Sequence, residues 1–287
     1  MTMLLLTLSR YLLPIALIQL GRCCKMKGLY DRDYSVLTEE EIQEKKRLDQ
    51  ESIIPGTVFS TSCYYDYPKA VRHNLSFFPN HLMDVVDLSN TKKLHEQCNE
   101  FEKLLNTQIT ELNIKRFIQD NKYYHIPASI FKYYNFGHHA AYLFKEFSLG
   151  TNYSADYLLV GDSSDGHQFI FVEFENPYKN ITIDDGNYGE TIRKGINQVN
   201  DWKAYIESNY ATITAEFKKY TDKQLPDEFY TYDATRMNYV VVAGRRIDFL
   251  DKTRRLRRDM EHSNKIKILH YDNLLDISRR TIGESTY

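Results

Sequence analysis

Residues 167–178 read His-Gln-Phe-Ile-Phe-Val-Glu-Phe-Glu-Asn-Pro-Tyr, and this stretch decides the fold of the chain. Its short apolar run predicts a buried strand that ends in two carboxylates, Glu173 and Glu175, on one face. A second apolar strand begins upstream at Asp156. The turn-rich sequence of residues 161–166 lies between the two strands and predicts that they form a hairpin.

The register of this hairpin determines which side chains meet. If residues 163–166 form a four-residue loop, Asp156 lies opposite Glu173, with Cβ atoms about 5 Å apart. A shift of one residue would turn Asp156 to the other face of the sheet. In the first register three carboxylates, those of Asp156, Glu173 and Glu175, converge on one patch. This arrangement predicts a divalent-metal site.

Burial makes these carboxylates costly, because apolar side chains occupy both faces of the hairpin. Phe169 and Phe171 share the face of Glu173, and the other face carries Ile170, Val172 and Phe174. A buried ionised carboxylate is unfavourable unless it is paired or binds a metal, and neighbouring carboxylates raise one another's pKa. Mg²⁺ relieves both problems and prefers oxygen ligands. The alternative is a frayed strand end whose glutamates pair with lysines in water.

Composition sets wider bounds on the protein. With 287 residues and 42% hydrophobic residues, the chain is large enough for one large domain or two small ones with a real core. A net charge of −2 gives no global signal for nucleic-acid binding. The four cysteines lack the spacing of a metal site. We therefore expect no disulfide framework and a reducing compartment.

The N-terminus is treated separately, because residues 3–20 are apolar enough to suggest a membrane or export segment. Arg10 lies in the middle of this run, where it would cost about 2.5–3.5 kcal/mol on membrane-insertion scales. No basic residue precedes the run and no typical cleavage site follows it. We therefore expect translation to begin at Met26 and the protein to be cytoplasmic. A membrane anchor through residues 3–20 and a signal peptide are the alternatives.

The remaining pattern predicts an α/β protein with a mixed β-sheet flanked by helices. Residues 26–88 look irregular. Helical spacing predicts helices over residues 89–107, 111–119, 138–147, 190–208 and 254–260, and apolar runs predict further strands over residues 239–243 and 266–269. No glycine-rich phosphate loop and no paired-cysteine zinc motif is present in the sequence.

Six segments of the sequence, in this order, resemble the Shedu family of bacterial antiphage proteins. They are Lys-Glu-Phe-Ser-Leu-Gly (145–150), Ala-Asp-Tyr-Leu-Leu-Val (155–160), Val-Glu-Phe-Glu-Asn-Pro (172–177), Ile-Asn-Gln-Val-Asn-Asp-Trp (196–202), Val-Val-Ala-Gly-Arg-Arg (241–246) and His-Tyr-Asp-Asn-Leu-Leu (270–275). The resemblance implies a restriction-endonuclease-like core of the PD-(D/E)XK superfamily over residues 109–287. Residues 26–108 would then form a separate N-terminal regulatory or sensor region, and residues 1–25 a leader or a mis-assigned start.

The resemblance also implies roles for individual residues. Glu146 matches an acidic position on the helix before the sheet. Asp156 and Glu173 match the paired acids that hold the metal, and we expect the carbonyl of Phe174 to be a further ligand. Gln198 matches a glutamine near the active site on the following helix.

One position departs from the family pattern. The superfamily usually has lysine where this chain has Glu175, so Glu175 would hold a second ion or act as general base. Lys194 lies one turn before Gln198 on the same helix face, and it is the candidate to replace the missing lysine.

The resemblance implies a DNA endonuclease in antiphage defence with DNA as its partner, and the carboxylates favour Mg²⁺ as its cofactor, with Mn²⁺ as a substitute. The resemblance implies a homo-oligomer. The basic cluster within residues 245–258 is a candidate phosphate track. Two alternatives remain open at this point. One is a catalytically inactive nuclease-fold module with a binding or sensing role, and the other is a membrane-tethered interaction protein.

Overall fold

A five-stranded mixed sheet forms the centre of the protein in a computed structural model that describes residues 28–51 and 64–287. The predicted leader and the start at Met26 lie outside the described residues. The strands are β1 (Ala140–Leu149), β2 (Tyr153–Ser163), β3 (Gly166–Phe174), β4 (Met237–Val242) and β5 (Ile266–Leu269), and they lie side by side in this order. The first three strands are antiparallel, and β3, β4 and β5 are parallel.

The hairpin of β2 and β3 has the predicted register. Its pairs run from Tyr157 opposite Val172 to Ser163 opposite Gly166, as a four-residue loop requires. One further step along the same register places Asp156 opposite Glu173. The alternation of faces also holds, because Phe171 and Val172 belong to the two different apolar cores on either side of the sheet.

Helices flank the sheet in the described part of the chain. They are α1 (Glu39–Glu51), α2 (Lys69–Leu75), α3 (Thr91–Leu105), α4 (Glu111–Asn121), α5 (His125–Ala128), α6 (Glu190–Ser208), α7 (Tyr210–Phe217), α8 (Asp251–Asn264) and α9 (Tyr271–Thr281). The sequence predicts α3, α4, α6 and α8. It does not predict α1, which lies in the stretch judged irregular, or α2, α5, α7 and α9. Helix α1 buries none of its residues, so it has no apolar periodicity to detect.

The predicted helix over residues 138–147 is wrong, because β1 occupies most of this stretch. Glu146 has a φ of +50°, and this left-handed residue reverses the alternation of faces along the strand. As a result Phe144 and Phe147 lie in the same core although they are three residues apart. A three-residue apolar spacing is typical of a helix, which explains the error.

The two apolar cores define a layer of helices on each face of the sheet. One core contains Ile114 of α4, Leu274 of α9 and Phe174 of β3. The other contains Ile192 of α6 and Phe171 of β3. The expected class, an α/β protein with a mixed sheet flanked by helices, is therefore confirmed.

Residues from both sides of the expected boundary at residue 109 contribute to one core. Leu29, Met83 and Leu88 pack in the same cluster as Val172 and Phe174. The separate regulatory role of residues 26–108 stays a prediction. Among the described helices, none has both the length and the apolar character that a membrane span requires.

Candidate active site

Asp156 lies near the start of β2, where the ladder between β1 and β2 is interrupted. Its Oδ2 accepts a hydrogen bond of 2.8 Å from the backbone N–H of Phe174, and this bond ties β2 to the end of β3. Its Oδ1 accepts a bond of 2.7 Å from Nζ of Lys115. Burial raises the pKa of the Asp156 carboxyl above its ordinary value, against the opposing effect of the lysine.

Glu173 is the most unusual group of the site. It is 5% exposed, and its Oε2 is buried without a hydrogen-bond partner among the residues of the structure. Burial, and then the negative charges of Asp156 and Glu175, raise the pKa of Glu173 to about 9. The positive charges of Lys115 and Lys194 oppose this rise only in part.

Glu175 follows the end of β3 and is held by hydrogen bonds from two side chains. Its Oε2 accepts a bond of 2.9 Å from Nζ of Lys194, and its carbonyl accepts a bond of 2.8 Å from the hydroxyl of Tyr271. Burial raises the pKa of Glu175, although Lys194 opposes this effect. The other oxygen, Oε1, is buried and unpartnered within the described residues. This oxygen is therefore free to accept a proton or to hold a ligand.

Gly195 allows α6 to approach this end of the sheet. A Cβ at Gly195 would lie 2.6 Å from Cγ1 of Val241 and 3.1 Å from Cγ of Glu175. Both distances are shorter than ordinary carbon contacts, so a larger residue would push the helix away. The absence of a side chain at this position therefore brings Lys194 within reach of Glu175.

Lys115 is a site residue that the sequence analysis missed. It lies on α4, whose Ile114 and Ile118 are buried in the core on one face of the sheet. Lys194 lies on α6, which covers the other face. The two lysines therefore reach the carboxylates from opposite faces. A contact between residues 115 and 156 depends on how α4 packs on the sheet, and no local sequence pattern indicates it.

Glu111 is a second missed residue. It lies one turn before Lys115 on α4, and its negative charge contributes to the raised pKa values of Asp156 and Glu175. The helix before the sheet thus carries an acidic residue near the carboxylates. The family resemblance implies Glu146 for this acidic position on the helix before the sheet, but Glu111 occupies it.

The remaining expected residues have different placements. Glu146 lies on β1 rather than on a helix, opposite Asp156 and exposed, and its Oε1 accepts a bond of 3.5 Å from Gln119. Phe174 takes part through its N–H, and the role of its carbonyl stays a prediction. Gln198 lies with Lys194 along one groove of α6, as the helical spacing predicts.

The basic cluster between residues 245 and 258 is partly neutralised. Arg245 bonds to Asp272 at 2.8 Å, and Arg246 is paired with Asp276. Arg254 lies 3.1 Å from Asp251. These pairs reduce the positive charge that the cluster offers to phosphates.

The donor set fits a hard cation at Glu173. No three acidic, histidine or cysteine side chains surround a common point anywhere in residues 28–51 and 64–287, so the expected three-carboxylate cage is not found. Instead, Lys115 is paired with Asp156, and Lys194 is paired with Glu175. The expected ligands are the carboxylates of Asp156 and Glu173. Of their oxygens, Oε2 of Glu173 has no hydrogen-bond partner among the described residues, so it is free to bind a cation. Mg²⁺ prefers such ligands and usually keeps several waters.

Comparison with known proteins identifies one family. The family model described as Shedu protein SduA, C-terminal, matches residues 94–275, which is well over half of the chain and includes the sheet, Asp156, Glu173 and Glu175. The matched region begins upstream of the expected boundary at residue 109. No curated protein matches the chain significantly.

Proposed function

Since the chain belongs to the Shedu family, we propose that it is a metal-dependent endonuclease that hydrolyses phosphodiester bonds of DNA. Membership of this family implies a role in antiphage defence. The observation that carries the proposal is the buried, unpartnered carboxyl of Glu173, which lies beside Asp156 near the end of the central strand β3. The mixed sheet with helices on both faces is consistent with a nuclease-like core.

Asp156 and Glu173 would hold the metal, with the Phe174 carbonyl as a further ligand. Mg²⁺ or Mn²⁺ would supply polarisation of a phosphoryl oxygen and a more acidic water. The hydrogen bond from the Phe174 N–H fixes the orientation of Asp156 independently of the metal. A carboxylate that is already oriented requires little reorganisation when a cation binds.

Glu175 and Lys194 would have the two remaining roles, proton transfer from the attacking water and stabilisation of negative charge. The free Oε1 of Glu175 would accept a proton from the attacking water, which is the role of a general base. Lys194 has a side chain that is 61% exposed, so its ammonium group reaches solvent and substrate. It would stabilise negative charge on the phosphate and so replace the lysine that the superfamily has at the position of Glu175.

The test is cleavage of supercoiled and linear DNA by the full-length chain with Mg²⁺ or Mn²⁺. We expect cleavage that chelation abolishes and that the isosteric variants Asp156→Asn and Glu173→Gln lose. Glu207→Gln removes an exposed carboxylate from α6 and is the matched control, which should cut normally. Cleavage that survives in both site variants would refute the assignment of the site.

A second candidate function is an inactive nuclease-fold module with a binding or sensing role. It is favoured by Glu175, whose carboxylate replaces the usual lysine and is paired with Lys194. The absence of cleavage by folded protein on circular DNA, DNA with free ends and RNA would support this function and exclude the endonuclease.

A further inference from the structure

A groove of about 770 Å³ lies between the outer face of α6 and the turn that joins β1 to β2. Lys194 lines this groove and is also bonded to Glu175, so the groove continues from the candidate active site. Asn152 lines it from the turn, and Ser154 lines it from the start of β2. A ligand held at Glu175 would therefore extend into the groove.

The wall formed by the turn is closely packed against α6. Gly150 has a φ of +67°, and a Cβ at this position would overlap the hydroxyl of Tyr205 on α6. The ring of Tyr153 contacts the ring of Tyr205, with centroids 5.7 Å apart. The groove is thus bounded on both sides by packed elements rather than by a free loop.

The helix face that lines the groove carries polar groups that are free to bind a ligand. Arg193, Lys194, Asn197 and Gln198 follow one another at helical spacing. The side chains of Arg193, Asn197 and Gln198 make no hydrogen bond or ion pair with any residue that the structure describes. Their donors are therefore satisfied only by solvent or by a ligand.

The arrangement of charge restricts where an anion fits. Glu190 and Asp201 line the two ends of the helix face, and the basic residues Arg193 and Lys194 lie between them. A phosphate is repelled at the ends and attracted in the middle, beside Lys194. Arginine, lysine and amide side chains are among the groups that contact nucleic-acid phosphates and sugars.

We infer that this groove binds the phosphodiester backbone of the DNA strand beside the scissile bond, and that Arg193 contacts the phosphate next to the one at Lys194. The inference rests on the proposed function, because it takes Glu175 and Lys194 as the cleavage site. The amides of Asn197 and Gln198 hydrogen-bond to the same strand. The contact is with the backbone, so it is independent of base sequence.

Salt-dependent binding of labelled duplex DNA to the full-length chain tests this inference. Ca²⁺ replaces Mg²⁺ so that binding is measured without cleavage, and fluorescence anisotropy is recorded over a range of salt concentrations. We expect Arg193→Gln to weaken binding equally for unrelated sequences and to reduce the slope of log affinity against log salt by about 1. Arg280→Gln is the matched control, because it removes an exposed arginine on α9, which packs on the other face of the sheet from α6. This control should retain the wild-type slope.

Three results would overturn the inference. They are an unchanged slope for Arg193→Gln, an equal reduction for Arg280→Gln, and no DNA binding by the wild-type chain. Cleavage activity separates this inference from the endonuclease proposal. If the wild-type chain cuts DNA and Arg193→Gln changes neither binding nor cutting, the groove assignment is wrong and the endonuclease stands. If nothing is cut but Arg193→Gln still reduces the slope, the groove binds the DNA backbone, but no scissile bond lies beside it and the endonuclease is wrong.

Discussion

The two lysines of the candidate active site differ in their surroundings. Lys115 bonds to Asp156 at 2.7 Å, and the side chains are only 25% and 11% exposed. Lys194 bonds to Glu175 at 2.9 Å, but its own side chain is 61% exposed while that of Glu175 is 3% exposed. One ion pair is therefore largely enclosed between α4 and the sheet, and the other opens toward the groove of α6.

This difference in exposure indicates that the two lysines have different roles. An enclosed ion pair contributes to the native structure, because removal of one partner leaves a buried charge. An exposed lysine contributes little to stability, since water and salt screen its charge. Lys115 thus compensates the charge of Asp156 in the folded protein, and Lys194 remains available to a substrate. The following predictions test this division.

The largest effect is expected for Lys194→Met, which keeps most of the side-chain volume and removes the charge. We expect DNA cleavage to fall about 10²–10³-fold, as when one group that stabilises transition-state charge is lost. The free energy of unfolding should fall by about 1 kcal/mol, less than for Lys115→Met, because water screens the exposed ammonium although Glu175 is left buried without its partner. Plasmid cleavage rates and urea unfolding measure the two quantities. A large loss of stability with normal cleavage would reverse the roles assigned to the two lysines.

Lys115→Met should act mainly on stability. We expect a loss of about 2 kcal/mol, less than the 3–5 kcal/mol of a fully buried pair because the Lys115 side chain is one-quarter exposed. Mn²⁺ should raise the Tm of this variant more than that of the wild type, since the cation replaces the lost ammonium. Adding Asp156→Asn removes the carboxylate and should abolish the extra shift. An equal Mn²⁺ shift in the wild type and the single variant would contradict this prediction.

Gly195→Ala tests the approach of α6 to the sheet. The added Cβ would meet Val241 and Glu175, so the helix must move and the pair of Lys194 with Glu175 lengthens. We expect a loss of about 1–2 kcal/mol in unfolding free energy, together with slower cleavage. Asn200→Ala alters an exposed position on the same helix and is the control, with a change within about 0.5 kcal/mol. Wild-type stability for Gly195→Ala would show that α6 tolerates the displacement.

The part of the site that the sequence predicts is the part fixed by local rules. The turn residues set the loop length, the loop length sets the register, and the register places Asp156 opposite Glu173. The helical period likewise places Lys194 and Gln198 on one face. These inferences require only residues that are close in sequence or paired across one hairpin.

The missed part depends on packing between distant segments. Lys115 is 41 residues from Asp156 in the sequence, and only the docking of α4 brings them together. Helix α1 buries nothing and is supported by ion pairs such as Lys45 with Asp49, so its sequence resembles a solvated charged run. Strand β1 was predicted as a helix because one backbone kink at Glu146 changes the spacing of its apolar residues.

That kink leads to the smallest expected effect. A left-handed φ costs a residue with a Cβ about 1–2 kcal/mol, and glycine avoids this cost but loses about 0.5–1 kcal/mol to its greater freedom in the unfolded chain. We therefore expect Glu146→Gly to raise the free energy of unfolding by about 0.5–1 kcal/mol. Strained residues of this kind concentrate at functional sites, and Glu146 lies opposite Asp156. We therefore expect the same variant to cleave DNA about tenfold more slowly, which is less than the 10²–10⁴-fold of a lost general acid or base because Glu146 is exposed. Glu146→Asn is the matched variant, because asparagine tolerates a left-handed φ and lacks the carboxylate, and it should cleave equally slowly. If both variants cut DNA at the wild-type rate, the left-handed backbone at Glu146 only bends β1 and has no role in cleavage. The functional part of the site would then consist of the two lysines and the carboxylates paired with them.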